Sequence, residues 1–539
     1  MRNGIRAVDA APVSTEHESP ALPPLPGAGE EPDPRFARWG VLRHKHFRIF
    51  WTAAFVSFLG DWFEFVGTQW LVAEKTKSPL WASMLGAAQL VPTLVLGLFG
   101  GVVADRVNRR KLLVVTQGIM MVIALAFAAV VHFNLATPWV LLGLSLAQGI
   151  TIVFNNPAWQ VMVPRLVPRE DLTKAITLQG MSFNTARAIG PAIAGFIMAA
   201  ADPSVLFFVN ALSFIGVMFA TFKSPDAPAL ISSKGLFDLK VIREDTRAAI
   251  RTVFTHKGIR AAMLATLVFA SFATPVLRFL SLFVSEVYGR SEATFGVMTA
   301  IMGIGAVSGG FAMRLVPSWY PKHHFIPLSV MMGGLWIFLF SLEDNVYVAC
   351  VFMYFVGLFW MWAFNSSMAA LQMLVEDKER GRVLSVCNTV SLGLMPVGAF
   401  VATGIGEAGA ALVKRHDPTW WNSGLSTQIG IATVSIFLVG AGIVMLIWRT
   451  PEVDGLTPGQ AGHARRPGFI RGVLAWAHKP TPAGPRCPEC NLPLGNAFLI
   501  DDTVLCPRCE SRTPPSQLLN VPPAAAAPKR PEPELAAGK

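Results

Sequence analysis

Two carboxylates three residues apart interrupt an apolar run, Gly60-Asp61-Trp62-Phe63-Glu64. On a helix of 3.6 residues per turn they share one face. Acids that close disfavour double ionisation, which suits a pair that takes up and releases one proton. Arg187 and Arg278 stand in other apolar runs. A guanidinium stays charged at physiological pH, so either could hold an anion or neutralise Asp61 or Glu64, but neither can carry the proton. A salt bridge from the acids to one of these arginines is the competing, purely structural role. Gln69, Gln148, Asn155, Asn184 and Asn365, with Trp70, Trp360 and Trp362, could line a cavity among the same runs; interhelical hydrogen bonding or packing is the alternative. A second chemistry stands near the C-terminus. Cys487-Pro-Glu-Cys490 and Cys506-Pro-Arg-Cys509 can supply four thiolates to one tetrahedral ion.

The elements that must position the acids and arginines belong to a membrane protein. The chain has 539 residues, 53% hydrophobic and 15% charged, against about 25% charged in soluble domains. Its mean hydropathy is +0.48. Runs near 47–72, 80–104, 112–133, 138–163, 172–200, 204–222, 260–287, 292–316, 324–342, 346–374, 383–411 and 425–448 predict twelve spanning helices. Alternate connections carry 25 Lys and Arg against five on the other side, which predicts that both termini face the cytoplasm. The formal charge of +11 is then explained by the membrane face rather than by nucleic acid.

The connection at 223–259 is the longest and divides the spans six and six, 41–222 and 260–449. Leu239, Ile242, Ala249, Ile250, Val253 and Phe254 recur there at helical spacing among Arg243, Glu244, Asp245, Arg247 and Arg251, as in an interfacial helix or an ordered linker. The halves echo one another. Asn155-Asn156-Pro157 and Asn365-Ser366-Ser367 each close a fourth span before a charged turn, and each following span carries Pro and Gly. Paired halves around a central site are a common carrier architecture.

The turn Gly101-Val-Val-Ala-Asp105-Arg106-Val-Asn108-Arg109-Arg110-Lys111 packs five charges into its last seven residues between two spans. With Gly101, Asp105, Arg106, Arg109 and Arg110 it resembles the Gly-x-x-x-Asp-Arg-x-Gly-Arg-Arg loop of the major facilitator superfamily. Asn108 replaces a glycine, and asparagine tolerates the left-handed backbone expected there. Ala186-Arg187-Ala188-Ile189-Gly190-Pro191-Ala192-Ile193-Ala194-Gly195 resembles the antiporter motif Gly-x-x-x-Gly-Pro-x-x-Gly-Gly at Gly190, Pro191 and Gly195. Over residues 40–450 the chain resembles the drug:proton antiporter branch, which includes enterobactin exporters and macrolide efflux proteins. The resemblance implies an all-α fold of two six-helix bundles and proton-coupled export of a small lipophilic or amphipathic compound by alternating access. It also implies that Asp105 acts as a latch, capping the eleventh span or pairing with an arginine in one carrier state.

The remaining expectations concern the ends of the chain. Residues 1–40 lack the basic start and apolar core of a secretory signal and read as a disordered leader. After a linker at 450–484, residues 485–512 predict a zinc ribbon, with Leu494, Phe498, Leu499, Ile500, Val504 and Leu505 in short strands between the cysteine pairs. So small a unit buries little core, so bound Zn2+ would staple it, and a reducing cytosol disfavours disulfides. Residues 513–539, rich in Pro and Ala, read as a disordered tail. No nucleotide-binding Gly-x-x-x-x-Gly-Lys loop and no nucleophile–base set is present, so an enzyme or ATP-driven pump is not expected. The partners expected are a small-molecule substrate, protons and the bilayer of a bacterial inner membrane, with a monomeric carrier and a protein partner conceivable for the ribbon. A carrier of another direction or of a metabolite, or a membrane scaffold for the ribbon, are the alternatives.

Overall fold

The computed structural model describes residues 40–224, 247, 250–316, 322–375, 380–420, 422–448, 450, 453, 499–500, 503–505 and 512–513. Six helices form the first half: α1 Lys45–Thr76, α2 Pro79–Arg106, α3 Arg109–His132, α4 Pro138–Met162, α5 Leu172–Ala200 and α6 Ser204–Lys223. The second half has α7 Lys257–Leu282, extended by a π turn to Val287, α8 Glu292–Ala312, α9 Lys322–Leu342, α10 Val346–Leu374, α11 Arg380–Gly393, α12 Met395–His416 and α13 Leu425–Ile447. The apolar runs therefore fold as helices almost where the sequence places them. One span departs: the eleventh is two helices, interrupted at Leu394 ahead of Pro396, whose missing N–H and ring disfavour a continuous helix there. The Leu394 carbonyl left at the break accepts from Ser271 Oγ on α7 at 3.1 Å.

Among the described residues, eleven helical stretches are long and apolar enough to cross a membrane. The 29-residue α5 is not one of them, since Lys174, Gln179, Asn184 and Arg187 dilute its apolar residues. It packs on α1 and, across the halves, on α8. The turns between helices follow local rules. Lys77 ends α1 in a left-handed conformation, φ 49°. Thr137 caps α4 by accepting from Val140 N ahead of Pro138. Asn108 likewise caps α3, its side chain accepting from Lys111 N at 3.2 Å. Its φ is −59°, so the left-handed backbone expected at Asn108 is not adopted; the cap, not a glycine-like turn, explains the residue.

The packing repeats between halves. In the first, α1 meets α5 and α6, α2 meets α4, and α3 meets α4 and α6. In the second, α7 meets α12 and α13, α8 meets α10, and α9 meets α10 and α13. Across the halves, α5 lies on α8 and α2 lies on α11 and α12, the same pairing seen from either side.

The cores are not distributed evenly along the bundle. At the end bearing the 105–111 turn, Phe47, Phe50, Leu113 and Met162 form a core within the first half. Ile259, Leu371, Val383 and Cys387 form a separate one in the second, joined by Val253 of the connecting segment. At the opposite end Phe63, Val66, Met198, Phe279, Phe295 and Met353 belong to one core shared by both halves. The hydrophobic core is thus continuous between the halves at one end and divided at the other, where α2 still meets α11: a Cβ at Gly97 would lie 3.1 Å from Thr389 Oγ1. Residues 250–255 are helical, with Val253 buried and Ile250 and Phe254 exposed, as an amphipathic segment requires. Residues 225–246 and 248–249 of the linker lie outside the described residues.

Near the C-terminus three short strands, β1 Leu499–Ile500, β2 Thr503–Leu505 and β3 Arg512–Thr513, form an antiparallel meander with Leu499 opposite Val504 and Val504 opposite Thr513. Cys487, Cys490, Cys506 and Cys509 lie outside the described residues, as do the leader and the tail.

Candidate functional site

The two acids of α1 face different neighbours, as 100° per residue dictates. Gly60, Glu64 and Gly67 turn toward α6. A Cβ at Gly60 would collide with the Asn210 side chain, and one at Gly67 would lie 2.9 Å from Phe207. That close approach lets Asn210 Nδ2 donate to Glu64 Oε2 at 2.7 Å, with both residues buried. Asp61 lies on the strip of α1 that also carries Phe58 and Phe65. Phe58 packs against Trp159 of α4 and Phe183 of α5, and Phe65 lies under Arg278 of α7, 5.5 Å from its ring centroid. The strip looks into the space between the halves, and Asp61 is exposed there with no hydrogen bond or ion pair to a described residue.

The salt bridge weighed for the acids does not form. Arg278 is buried and donates to Gln89 Oε1 of α2 at 2.9 Å, with its guanidinium against Gly86. Once the Gln69 amide is turned to satisfy both groups, its oxygen accepts from Arg278 Nη1 at 2.7 Å. Arg278 thus joins three helices through two neutral amides and an aromatic face. Arg187 is half-buried on α5 and lies over Trp360 of α10, 5.8 Å from the ring centroid. Neither arginine has a carboxylate partner among the described residues. Two guanidiniums and one unpartnered acid therefore line the interior between the halves.

The other polar candidates divide. Gln148 is buried on α4 and its Oε1 has no partner among the described residues. Asn155 is buried too, but Thr116 and Gln117 of α3 donate to its Oδ1 at 2.9 and 3.1 Å, a tie within the first half. Asn184 donates back to Gly180 O of its own helix. Asn365 is exposed and donates to Met361 Sδ. Trp362 donates to Gly309 O of α8 at 2.8 Å, so it fastens α10 to α8 rather than lining a cavity. Trp70 stacks on Phe295 across the halves. Asn210, the partner of Glu64, was not among the sequence candidates; a lone amide inside Phe207-Phe208-Val209-Asn210-Ala211-Leu212 was the signal available.

The Gly190-Pro191-Gly195 stretch does what small residues do between membrane helices. A Cβ at Gly190 would lie 2.8 Å from Trp62 Cβ on α1, and one at Gly195 would lie 3.0 Å from Glu292 O and Gly296 Cα on α8. Further along α8, a Cβ at Gly303 would lie 2.5 Å from Ala188 Cα. The motif is therefore the seam between the halves. At the sealed end Ser83 and Thr403 hydroxyls meet at 2.9 Å, and Lys77 Nζ lies 3.3 Å from Glu286 Oε1, both across the halves.

In the charged turn, Gly101 has open space where a Cβ would be, whereas at Gly100 a Cβ would collide with Val153 O of α4; the steric demand falls one residue earlier than expected. Arg109 is fully buried at the start of α3, and Arg110 donates to Phe222 O and lies over its ring, tying α3 to α6. The side chains of Asp105 and Arg106 lie outside what is described, so the latch carries no geometry. Across the first half, Asp171 ahead of α5 is buried and accepts from Arg43 at 2.8 Å and Lys174 at 3.0 Å, with His44 Nε2 at 3.0 Å.

A two-half helical bundle with a shared core at one end and charged groups between the halves defines a membrane carrier. The model of the transmembrane secretion effector family, of the major facilitator superfamily, matches residues 36–414, and the chain belongs to that family. It is 24% identical over 359 residues to the staphyloferrin A transporter of Staphylococcus aureus, covering 66% of this chain and 88% of the relative. Macrolide efflux protein A of Streptococcus pyogenes is 22% identical over 367 residues, with the same coverage of each chain. Among solved structures, a bacterial homologue of the human lysosomal transporter Spinster, inward-facing and unoccupied, superposes with a TM-score of 0.59 at 13% identity, covering 77% of this chain and 98% of that one. The D-xylose–proton symporter gives 0.59 at 14% identity, covering 77% and 100%. The fold and the family are those of transporters of small molecules.

Proposed function

We propose that this carrier exports a small lipophilic or amphipathic compound, of the drug, macrolide or siderophore class, in exchange for protons across a bacterial inner membrane. The observation that carries the reading is Asp61: an acid exposed between the halves, with no ion pair to a described residue, one turn from a second acid held by Asn210. An ion pair would fix the charge of Asp61 in place; without one the group is open to protons and to a substrate cation. Export rather than uptake is supported by the efflux-type relatives and by the Gly190-Pro191-Gly195 seam. Arg187 and Arg278 are the groups that would attract an acidic substituent on the compound.

The Lys and Arg bias supports a cytoplasmic 105–111 end, with both termini there and α5 as a twelfth span packed on α1 and α8. The end where the two cores are separate then opens inward. Asp105 is the conformational latch, its carboxylate favoured at a helix N-terminus in one state and released in the other. In the tail, the β1–β2 hairpin lies between the two cysteine pairs and β2 ends at Leu505, beside Cys506. That spacing fits a ribbon in which Cys487, Cys490, Cys506 and Cys509 hold one structural Zn2+ as thiolates.

The test is a set of proteoliposomes with an imposed pH gradient, loaded in turn with a labelled macrolide and a labelled siderophore. Proton-driven movement should be lost in Asp61→Asn while downhill exchange of the compound persists. Unchanged coupling in Asp61→Asn would remove this acid from the mechanism.

A further inference from the structure

At the 105–111 end, away from the space between the halves, α7, α9 and the end of α13 enclose a groove of about 490 Å³. That volume lies within the roughly 300–1,000 Å³ usual for a small-molecule site. Its interior is apolar, made by Leu264, Val268, Val444 and Met445. Its mouth carries Lys257 and Arg260 from the start of α7 and Lys322 and His323 from the start of α9. Among the described residues that line it there is no carboxylate. Trp448, largely exposed at 78%, stands at the same rim where α13 ends. Basic residues at this face are common in membrane proteins, but here they converge on the entrance of an apolar slot between helices.

We propose that this groove binds one anionic phospholipid of the surrounding leaflet, its phosphate among Lys257, Arg260, Lys322 and His323 and one acyl chain along Leu264, Val268 and Met445. The argument is charge complementarity and depth together. Basic pockets between spanning helices take anionic headgroups at the leaflet surface. An exposed tryptophan at that level is the ordinary marker of the headgroup zone. The slot below the cations runs in the direction an acyl chain takes. Because α7, α9 and α13 belong to the second half alone, the lipid would grip that half at the end where its hydrophobic core is separate from that of the first.

The full chain, purified and placed in nanodiscs, tests this by native mass spectrometry after release. With phosphatidylglycerol in a phosphatidylcholine background, one phosphatidylglycerol should be retained per chain, at least tenfold over phosphatidylcholine. The triple variant Lys257→Gln, Arg260→Gln, Lys322→Gln should lose that preference. Leu264→Trp, which fills the slot and leaves the cations in place, should lower retention by a similar factor. Equal retention of both phospholipids, or full retention in Leu264→Trp, overturns the proposal. So does equal competition by glycerophosphoglycerol or inorganic phosphate, since a headgroup without chains would then suffice. A photoreactive residue at Ala441 should crosslink to lipid; recovery of residues 454–539 or of a second copy would show that protein occupies the groove instead. None of these outcomes depends on transport, so failure here is distinct from failure of the export reading.

Discussion

Glu64 on α1 accepts a 2.7 Å hydrogen bond from Asn210 on α6, and Gly60, one turn earlier, is what lets the two helices come close enough to make it. The acid is buried, and the amide is the hydrogen-bond donor it has. Asn210→Leu should therefore destabilise the protein by about 1–3 kcal/mol, the cost of leaving a buried polar group unsatisfied. Glu64→Gln keeps an acceptor for Asn210 and should unfold within about 1 kcal/mol of the parent. Thermal unfolding of the purified carrier in one detergent compares the two. Equal losses would mean that the bond is not what holds Glu64.

Gly303 on α8 sits where a methyl group would lie 2.5 Å from Ala188 Cα on α5. Backbone cannot yield as a flexible side chain can, so Gly303→Ala must push the two halves apart. Overpacking of this kind costs about 1–3 kcal/mol. Transport should fall by tenfold or more. Gly101→Ala, where a methyl group meets open space, should leave transport within twofold. Parallel transport assays of the two alanine variants decide it.

The Ser83 and Thr403 hydroxyls lie 2.9 Å apart across the sealed end. Two sulfurs placed there fall within reach of a disulfide. Oxidised Ser83→Cys/Thr403→Cys should hold that end shut and stop transport, and reduction should restore it. By contrast, Lys77→Gln removes an ion pair whose lysine is 68% exposed. Such pairs are worth about 0–1 kcal/mol, so its melting temperature should barely move. Continued transport by the oxidised double variant would mean that this end need not open.

How much of this was legible beforehand can be traced residue by residue. Apolar runs fix where helices form because membrane length and backbone hydrogen bonding leave no other solution, and the observed ends agree with the runs to within a few residues. Pro396 in the eleventh run was visible, yet whether proline bends or breaks a helix depends on neighbours such as Ser271. Which polar groups face inward was not legible, since helices apolar on nearly every side have no period that marks their interior face. Asn184 and Asn155 looked alike in sequence; one bonds its own helix and the other ties two together. Arg278 finds Gln89, 189 residues away, a pairing no local spacing encodes.

The Asp171 carboxyl is held well below the usual carboxylate range. Its hydrogen bond with His44 is the main cause and outweighs the opposing effect of burial, with Lys174 and Arg43 adding to it. A carboxyl depressed on folding contributes stability above its unfolded value of about 3.9, and that contribution is lost as pH falls from there toward the folded value. Arg43 and Lys174 are partly or largely exposed, so the contribution at pH 7 should be only about 1–2 kcal/mol. Asp171→Asn should therefore melt below the parent at pH 7, and the gap should narrow below about pH 4. A constant gap across that range would place the effect in packing rather than charge.

The tail gives a prediction of its own. Mild unfolding of the full chain should release one zinc per chain to a colorimetric chelator, and Cys487→Ser/Cys490→Ser should release none. Structural zinc sites hold their metal with about 10–16 kcal/mol at neutral pH, so the ion should survive purification. Stoichiometric release from the double variant would exclude the ribbon.

The composition of α5 bears on how the protein is made. This helix reaches less apolarity than its companions and rests against α1 on one side and α8 on the other. A segment holding Lys174, Asn184 and Arg187 partitions weakly into lipid by itself and gains most from protein neighbours. One of those neighbours, α8, lies more than ninety residues further along the chain. Biogenesis of the first bundle is then completed only after much of the second has been translated, and nascent chains stalled before Glu292 should carry α5 loosely seated and open to membrane quality-control proteases.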